Sequence, residues 1–228
     1  MALWVIGDLH LSFGEDKPME VFGGWDNYTE RLRKNWCNLV SQDDTVVIAG
    51  DVSWAMKLEN TLEDFRFIHS LPGRKIILKG NHDYWWTTVK KMEAFLSENE
   101  LSSISFLLNN SFTEGDIAIC GTKGIPSDSS ETEEKIINRE AGRLKMSIES
   151  AKNHGGEKVA FVHYPPIYGE YVSERIVDVL LEYGVKRCYY GHLHGYAKHR
   201  AFNGEYRGIK FRLISCDSVN FSPVPVTD

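Results

Sequence analysis

Short apolar runs alternate with amphipathic stretches along most of the chain. Leu3-Trp4-Val5-Ile6, Thr45 to Ala49, Ile76-Ile77-Leu78, Lys158 to Val162 and Arg187 to Tyr190 are brief, β-branched or aliphatic, and bounded by turn residues, the signature of buried strands. Between them, apolar residues recur at helical spacing. Leu32, Trp36, Leu39 and Val40 predict a helix over 27–40 capped by Asp26, and Leu62, Phe65 and Ile68 predict one over 58–70 ended by Pro72-Gly73. Val89, Met92, Phe95 and Leu96 predict a helix over 85–99, and further helices are expected over 131–153 and 173–183. Strands at 104–108 and 117–120 flank a turn near Glu114-Gly115. The C-terminal part reads as a hairpin of 201–206 and 209–215 turning at Asn203-Gly204. The strand–helix alternation of the first half implies parallel strands with crossover helices, and the strand-rich second half implies a mixed sheet. No repeat or linker divides residues 1–228, so a single α/β domain is expected.

Composition narrows the class without naming an activity. A hydrophobic content of 42% with 25% charged residues fits a soluble globular chain. The formal net charge of −6 argues against gripping long nucleic acid, which needs a basic face. Cys37, Cys120, Cys188 and Cys216 are scattered with no C-x-x-C pair, which argues against a disulfide framework or a zinc–cysteine site. No basic leader precedes the first strand and no apolar run approaches membrane-spanning length, so a cytoplasmic, reduced location without membrane partners is expected.

The chemistry lies at the strand ends. The first strand runs into Asp8-Leu9-His10, the second into Gly50-Asp51, and the third into Gly80-Asn81-His82-Asp83. Two later strands run into His163-Tyr164-Pro165-Pro166 and Gly191-His192-Leu193-His194. Ligands of open α/β sheets sit at carboxyl ends of strands. In an extended segment, residues two apart point the same way, so Asp8 with His10, and His192 with His194, are each expected to reach one site. Glycine precedes most of these groups, as expected where backbone passes close to a packed centre. Asp8, His10, Asp51, Asn81, His163, His192 and His194 are too many donors for one tetrahedral ion and suit two ions sharing a carboxylate. The mixed imidazole, carboxylate and amide set favours Mn, Fe, Zn, Co or Ni. Two divalent ions would leave a positive centre able to attract phosphate. His69, His154 and His199 are assigned to the surface.

The ordered series D-x-H, G-D, G-N-H-D, H-Y-P-P and G-H-L-H across residues 7–194 resembles the calcineurin-like metallophosphoesterase family. The resemblance implies a four-layer α/β/β/α sandwich of two mixed sheets with a di-metal site at the strand ends. It implies one ion on Asp8, His10, Asp51 and His194, and a second on Asp51, Asn81, His163 and His192, with Asp51 bridging. His82 would bind neither ion and face the leaving group. Asp83 would orient His82 or cap a helix. Val52-Ser53-Trp54 after Asp51 departs from the G-D-x-x-D-R-G pattern of protein serine/threonine phosphatases and from the G-D-x-x-Y of purple acid phosphatases. His82 stands where sugar-lipid pyrophosphatases tend to carry arginine.

The expected activity is therefore hydrolysis of phosphate mono- or diesters by a hydroxide activated between two metal ions, with His82 as general acid. A small phosphorylated substrate is expected, with a nucleotide or short nucleic-acid end as the alternative. A non-catalytic metal or nucleotide-binding module would be expected to lack a ligand, and none is missing. Phe22, Trp25, Trp54, Tyr84, Trp85, Tyr164, Tyr168 and Tyr171 follow strand ends and form a candidate aromatic rim. The loops at 11–25 and 122–132 are candidate lids. The sequence leaves the oligomeric state open.

Overall fold

The computed structural model describes residues 1–126 and 134–227. Among these residues five α-helices and thirteen strands follow in chain order, beginning β1 (Leu3–Ile6), α1 (Tyr28–Leu39), β2 (Thr45–Ala49), α2 (Leu62–Ser70), β3 (Arg74–Leu78), α3 (Val89–Glu98) and β4 (Ile104–Leu107). The second half adds β5 (Phe112–Glu114), β6 (Ile117–Thr122), α4 (Glu134–Ser150), β7 (Glu157–Val162), β8 (Ile167–Tyr168) and β9 (Tyr171–Val172). It closes with α5 (Glu174–Glu182), β10 (Arg187–Tyr190), β11 (Gly204–Tyr206), β12 (Ile209–Leu213) and β13 (Val224–Pro225).

Two mixed sheets form. One has the order β13-β1-β2-β3-β4, with β1 to β4 parallel and β13 antiparallel at its edge. The other has the order β11-β12-β10-β7-β6-β5, parallel through its four central strands and antiparallel at both edges. Alternation along the strands assigns side chains to layers. Ile6, Ile48 and Ile77 face a core shared with α1, α2 and α3 through Leu32, Trp36, Phe65 and Met92. Val5, Val47, Ile76, Val159 and Phe161 face between the sheets. Ala160, Val162 and Tyr190 pack on the outer side against α4 and α5 through Leu144, Ile148, Ile176 and Leu180. The result is the α/β/β/α sandwich that the sequence implied. Gly7 joins the sheets at the site end, donating to Ile214 O at 2.8 Å while its carbonyl accepts from Cys216 N at 2.9 Å.

Several boundaries differ from expectation for local reasons. Helix α1 starts after Asn27, in the left-handed region at φ 49°, not after an Asp26 cap. The 58–70 helix opens with a 3₁₀ turn over Leu58–Thr61. Residues 85–88 are not helical: Asp83 holds the Trp85 indole at 3.0 Å and Trp86 packs on Phe106, so α3 begins at Val89 under a Thr88 cap. Strand β4 pairs with β3, and Phe112–Glu114 is the strand that pairs with β6 across Gly115. The last hairpin turns at Arg207-Gly208, both at positive φ, as two-residue turns require. Asn203 instead accepts from Leu213 N through its side chain at 2.8 Å. The expected start of the 131–153 helix and most of the 122–132 loop lie outside the described residues. Lys75, fully buried, donates to Leu71 O at 2.6 Å and Gly73 O at 2.7 Å and so satisfies carbonyls just beyond α2.

Candidate metal centre

Segments following β1, β2, β3, β7 and β10 converge at one end of the two sheets. Asp8, His10 and His194 bring donor atoms within 4.8 Å of one another, and Asp51, His163 and His192 form a second such group. Asn81 Oδ1 lies 2.7 Å from His163 Nε2, joining the second group. Asp51 Oδ2 lies 4.0 Å from His10 Nε2 and 3.4 Å from His163 Nε2, between the two.

The route to this arrangement is not the extended one expected. Asp8, His10, Asp51 and His192 have φ of 61°, 47°, 49° and 76°. Left-handed backbone at non-glycine residues costs of order 1–3 kcal/mol each and persists where surroundings over-determine it. Asp8 and His10 do meet, but through consecutive sharp turns. His192 and His194, expected at one site, fall into different donor groups. Close backbone approach fixes the turns: a Cβ on Gly80 would overlap Asp51 Oδ1 and N, and one on Gly191 would overlap Asp8 Oδ2.

The donor chemistry leaves positive charge wanting. His163 directs Nδ1 at Ala49 O, 3.0 Å away, so Nε2 presents a lone pair toward Asn81 Oδ1 and Asp51 Oδ2. Such convergence of acceptors needs a cation among them. Burial, then the charge of Asp8, pushes the Asp51 carboxyl up to about 8. Burial works against Asp8 too, but His194, His163 and His10 outweigh it and hold that carboxyl below the ordinary range. Burial also opposes charge on His194, yet its bonds to Asp217 and Asp8 raise it to about 10. Burial and neighbouring imidazoles hold His10 well below its usual value, and burial with His163 brings His192 to about 4. Asp8 is thus ionised and His10, His163 and His192 neutral, while Asp51 and His194 retain protons that mark where the site draws in positive charge. It fits divalent ions.

Residues 1–196 match the calcineurin-like phosphoesterases. The chain belongs to that family. It is also 36% identical over 83 residues, 35% of its length, to the Gene 66 protein of Mycobacterium phage L5, a match spanning 39% of that relative. Among solved structures, the phosphopantetheinyl hydrolase of Mycobacterium tuberculosis aligns at TM-score 0.52 and 15% identity over 99% of this chain and 95% of that one. TT1561 of Thermus thermophilus aligns at TM-score 0.57 and 13% identity over 84% and 81%. At these identities the two structures share the fold.

Within the calcineurin-like phosphoesterase site, Asp83 does neither thing expected of it. Its carboxylate is wholly buried and accepts from Gly80 N at 2.7 Å, Asp51 N and Val52 N at 2.9 Å, and the Trp85 indole. It thus ties the Asp51 turn to the Asn81 turn; Thr88 is the helix cap, and none of these bonds reaches the His82 ring. His82 N in turn donates to Asp51 Oδ1 at 2.7 Å. The His82 ring is half-buried, leans on Trp54 at 4.5 Å between centroids, and has a buried Nδ1 without a hydrogen-bond partner. Burial and then His163 lower its pKa, so it rests neutral at pH 7. Of the aromatic rim, Trp25 and Trp54 flank His10, and Tyr164 stands edge-on to His192 at 4.6 Å. Trp85 belongs to the core against Phe65. Segment 11–25 is anchored by buried Met19 and Trp25 and by Phe13 N donating to Asp64 at 2.8 Å.

Sequence reasoning missed Asp217. It follows β12 as the other acids follow their strands, which was the available signal. Asp217 Oδ1 lies 2.9 Å from His194 Nδ1, and Oδ2 accepts from Gly195 N and Lys198 Nζ, both at 3.1 Å. A carboxylate there fixes the imidazole so that Nε2 faces Asp8 and His10, as partners of metal-ligating histidines do. Asp217→Asn is expected to weaken metal affinity about 10–100-fold while leaving the fold intact, measured by competition with a chelating dye. Unchanged affinity would remove the orienting role.

Proposed function

We propose that this family member hydrolyses small phosphate esters at a pair of divalent metal ions. The observation that carries the reading is the pair of donor groups on either side of Asp51, short of positive charge and open to a cleft. Asp8, His10 and His194 would hold one ion, and Asn81, His163 and His192 the other, with Asp51 shared. The ions, drawn from Mn, Fe, Zn, Co or Ni, would polarise the phosphoryl oxygens and acidify the attacking water.

The chain's own residues supply the rest. Asp83 keeps the Asp51 and Asn81 turns in register, and Asp217 keeps the His194 ring in its tautomer. In the reaction a bond forms from water oxygen to phosphorus and the ester P–O bond breaks. The His82 ring would give its proton to the departing oxygen. Neutral in the free site, that ring gains a proton more readily beside an arriving phosphate anion, since nearby negative charge favours imidazolium. The three buried thiols and the exposed Cys37, none in a disulfide, suit a reducing cytoplasmic setting. No helix among the described residues is long and apolar enough to cross a membrane.

The test is metal content of purified protein together with hydrolysis of monoesters, diesters and nucleotides under each candidate ion. A phosphopantetheinyl ester belongs in the panel because one neighbour of this fold is a phosphopantetheinyl hydrolase. Metal-dependent turnover of small esters is expected; no hydrolysis with any of the five ions sinks the proposal. Preference for short nucleotide diesters would instead favour the nucleic-acid reading.

A further inference from the structure

A cleft of about 400 Å³ opens beside the donor groups, with His10, His82 and His194 along one side. Its remaining side chains are Met19, Phe22, Trp25 and Trp54. We infer that this cleft binds the alcohol part of the ester, and that this part is apolar, alkyl or aryl. The inference rests on the phosphoesterase reading above and names the substrate class it left open.

Apart from those three imidazoles, the lining among the described residues has no carboxylate, amide or hydroxyl side chain, and Lys17 borders it with Nζ over the Trp54 ring, 4.7 Å from the centroid. The one indole N–H whose partner is visible here, that of Trp54, is directed at Met19 Sδ, 3.3 Å away. A sugar or nucleobase placed there would leave donors and acceptors unpaired, which disfavours it strongly against an apolar group of similar size. The cleft volume falls in the small-molecule range of roughly 300–1,000 Å³. Continuity with the reacting centre sets the occupant. His10 belongs to a donor group and stacks on Trp54 at 4.9 Å, while His82 leans on that same indole at 4.5 Å. An ester oxygen at His82 therefore carries its alkyl or aryl group onto Trp54 and toward Phe22. Met19 and Trp25 are buried and form a fixed floor, whereas Phe22 stands 55% exposed at the mouth and gains cover when the cleft fills.

The experiment compares ethyl, butyl and hexyl phosphate, whose primary alcohols leave with nearly equal ease, on the metal-loaded enzyme. The expected result is a kcat/KM that rises about threefold to fourfold per added methylene until the cleft is full. Phe22→Ser and Trp54→Leu should each flatten that rise. Glycerol phosphate and nucleoside monophosphates should be poorer substrates than hexyl phosphate. A flat series with hydrolysis intact, or nucleotides outrunning hexyl phosphate, overturns the inference and leaves the phosphoesterase reading standing. If no ester is hydrolysed, that reading falls, and tryptophan emission during titration with n-alkyl phosphonates decides the cleft alone. Kd tightening with chain length supports it, and equal Kd across the series overturns it.

Discussion

Asp51→Asn is expected to lower phosphoester hydrolysis by about a thousandfold or more, the scale of losing a main electrostatic stabiliser of the reacting group. The reason is position. Asp51 lies between the two donor groups, with one carboxylate oxygen 4.0 Å from His10 Nε2 and 3.4 Å from His163 Nε2. Its own carboxyl, pushed up to about 8 by burial and by Asp8, marks it as the group most in need of a cation. An amide has the same shape without the charge, so the turn held by Asp83 should survive while metal retention fails. Elemental analysis of the purified variant should show less than the wild-type metal content, with an unchanged circular dichroism spectrum. Full metal content with normal turnover would mean that Asp51 is not shared between ions.

His82→Ala is expected to separate chemistry from metal binding. Metal content should match the wild type, while kcat falls about 10²–10⁴-fold, the usual contribution of a positioned proton donor. Esters whose leaving groups need no proton, such as p-nitrophenyl phosphate, should lose much less than alkyl esters. That contrast is the informative one, because loss of a merely structural residue would depress both alike. The ring makes no hydrogen bond through Nδ1, whereas the backbone N–H donates to Asp51 Oδ1 and the carbonyl accepts from Tyr84 N. Alanine keeps those backbone bonds. A variant emptied of metal would show that the ring, not the backbone, supports the site.

Much of this was legible because the strands announce themselves. Runs such as Thr45 to Ala49 are apolar on both faces, as strands buried between two layers must be, and each hands over abruptly to a polar residue. What was hidden depends on contacts distant in sequence. Asp83 looks like a partner for His82 because it is adjacent, but its acceptor capacity is used by backbone N–H groups at Asp51 and Val52, brought near only by folding. The turn choice at Arg207-Gly208 over Asn203-Gly204 is likewise tertiary, since the Asn203 side chain is recruited by Leu213. The left-handed backbone at Asp8 and His192 leaves no trace in composition. Asp217 was readable in principle: it repeats the strand-end pattern once more, two residues past the hairpin predicted over 201–215.

The proposed metal donors come from five separate strand ends, whereas most of the cleft's apolar wall comes from one contiguous stretch, with Met19, Phe22 and Trp25 inside a seven-residue span. A chain built this way separates two kinds of inheritance. Altering the reaction would require coordinated change at distant places, but altering what is fed to it would require rewriting one short segment. Descendants of such an ancestor can diversify their diets while the machinery beneath stays the same.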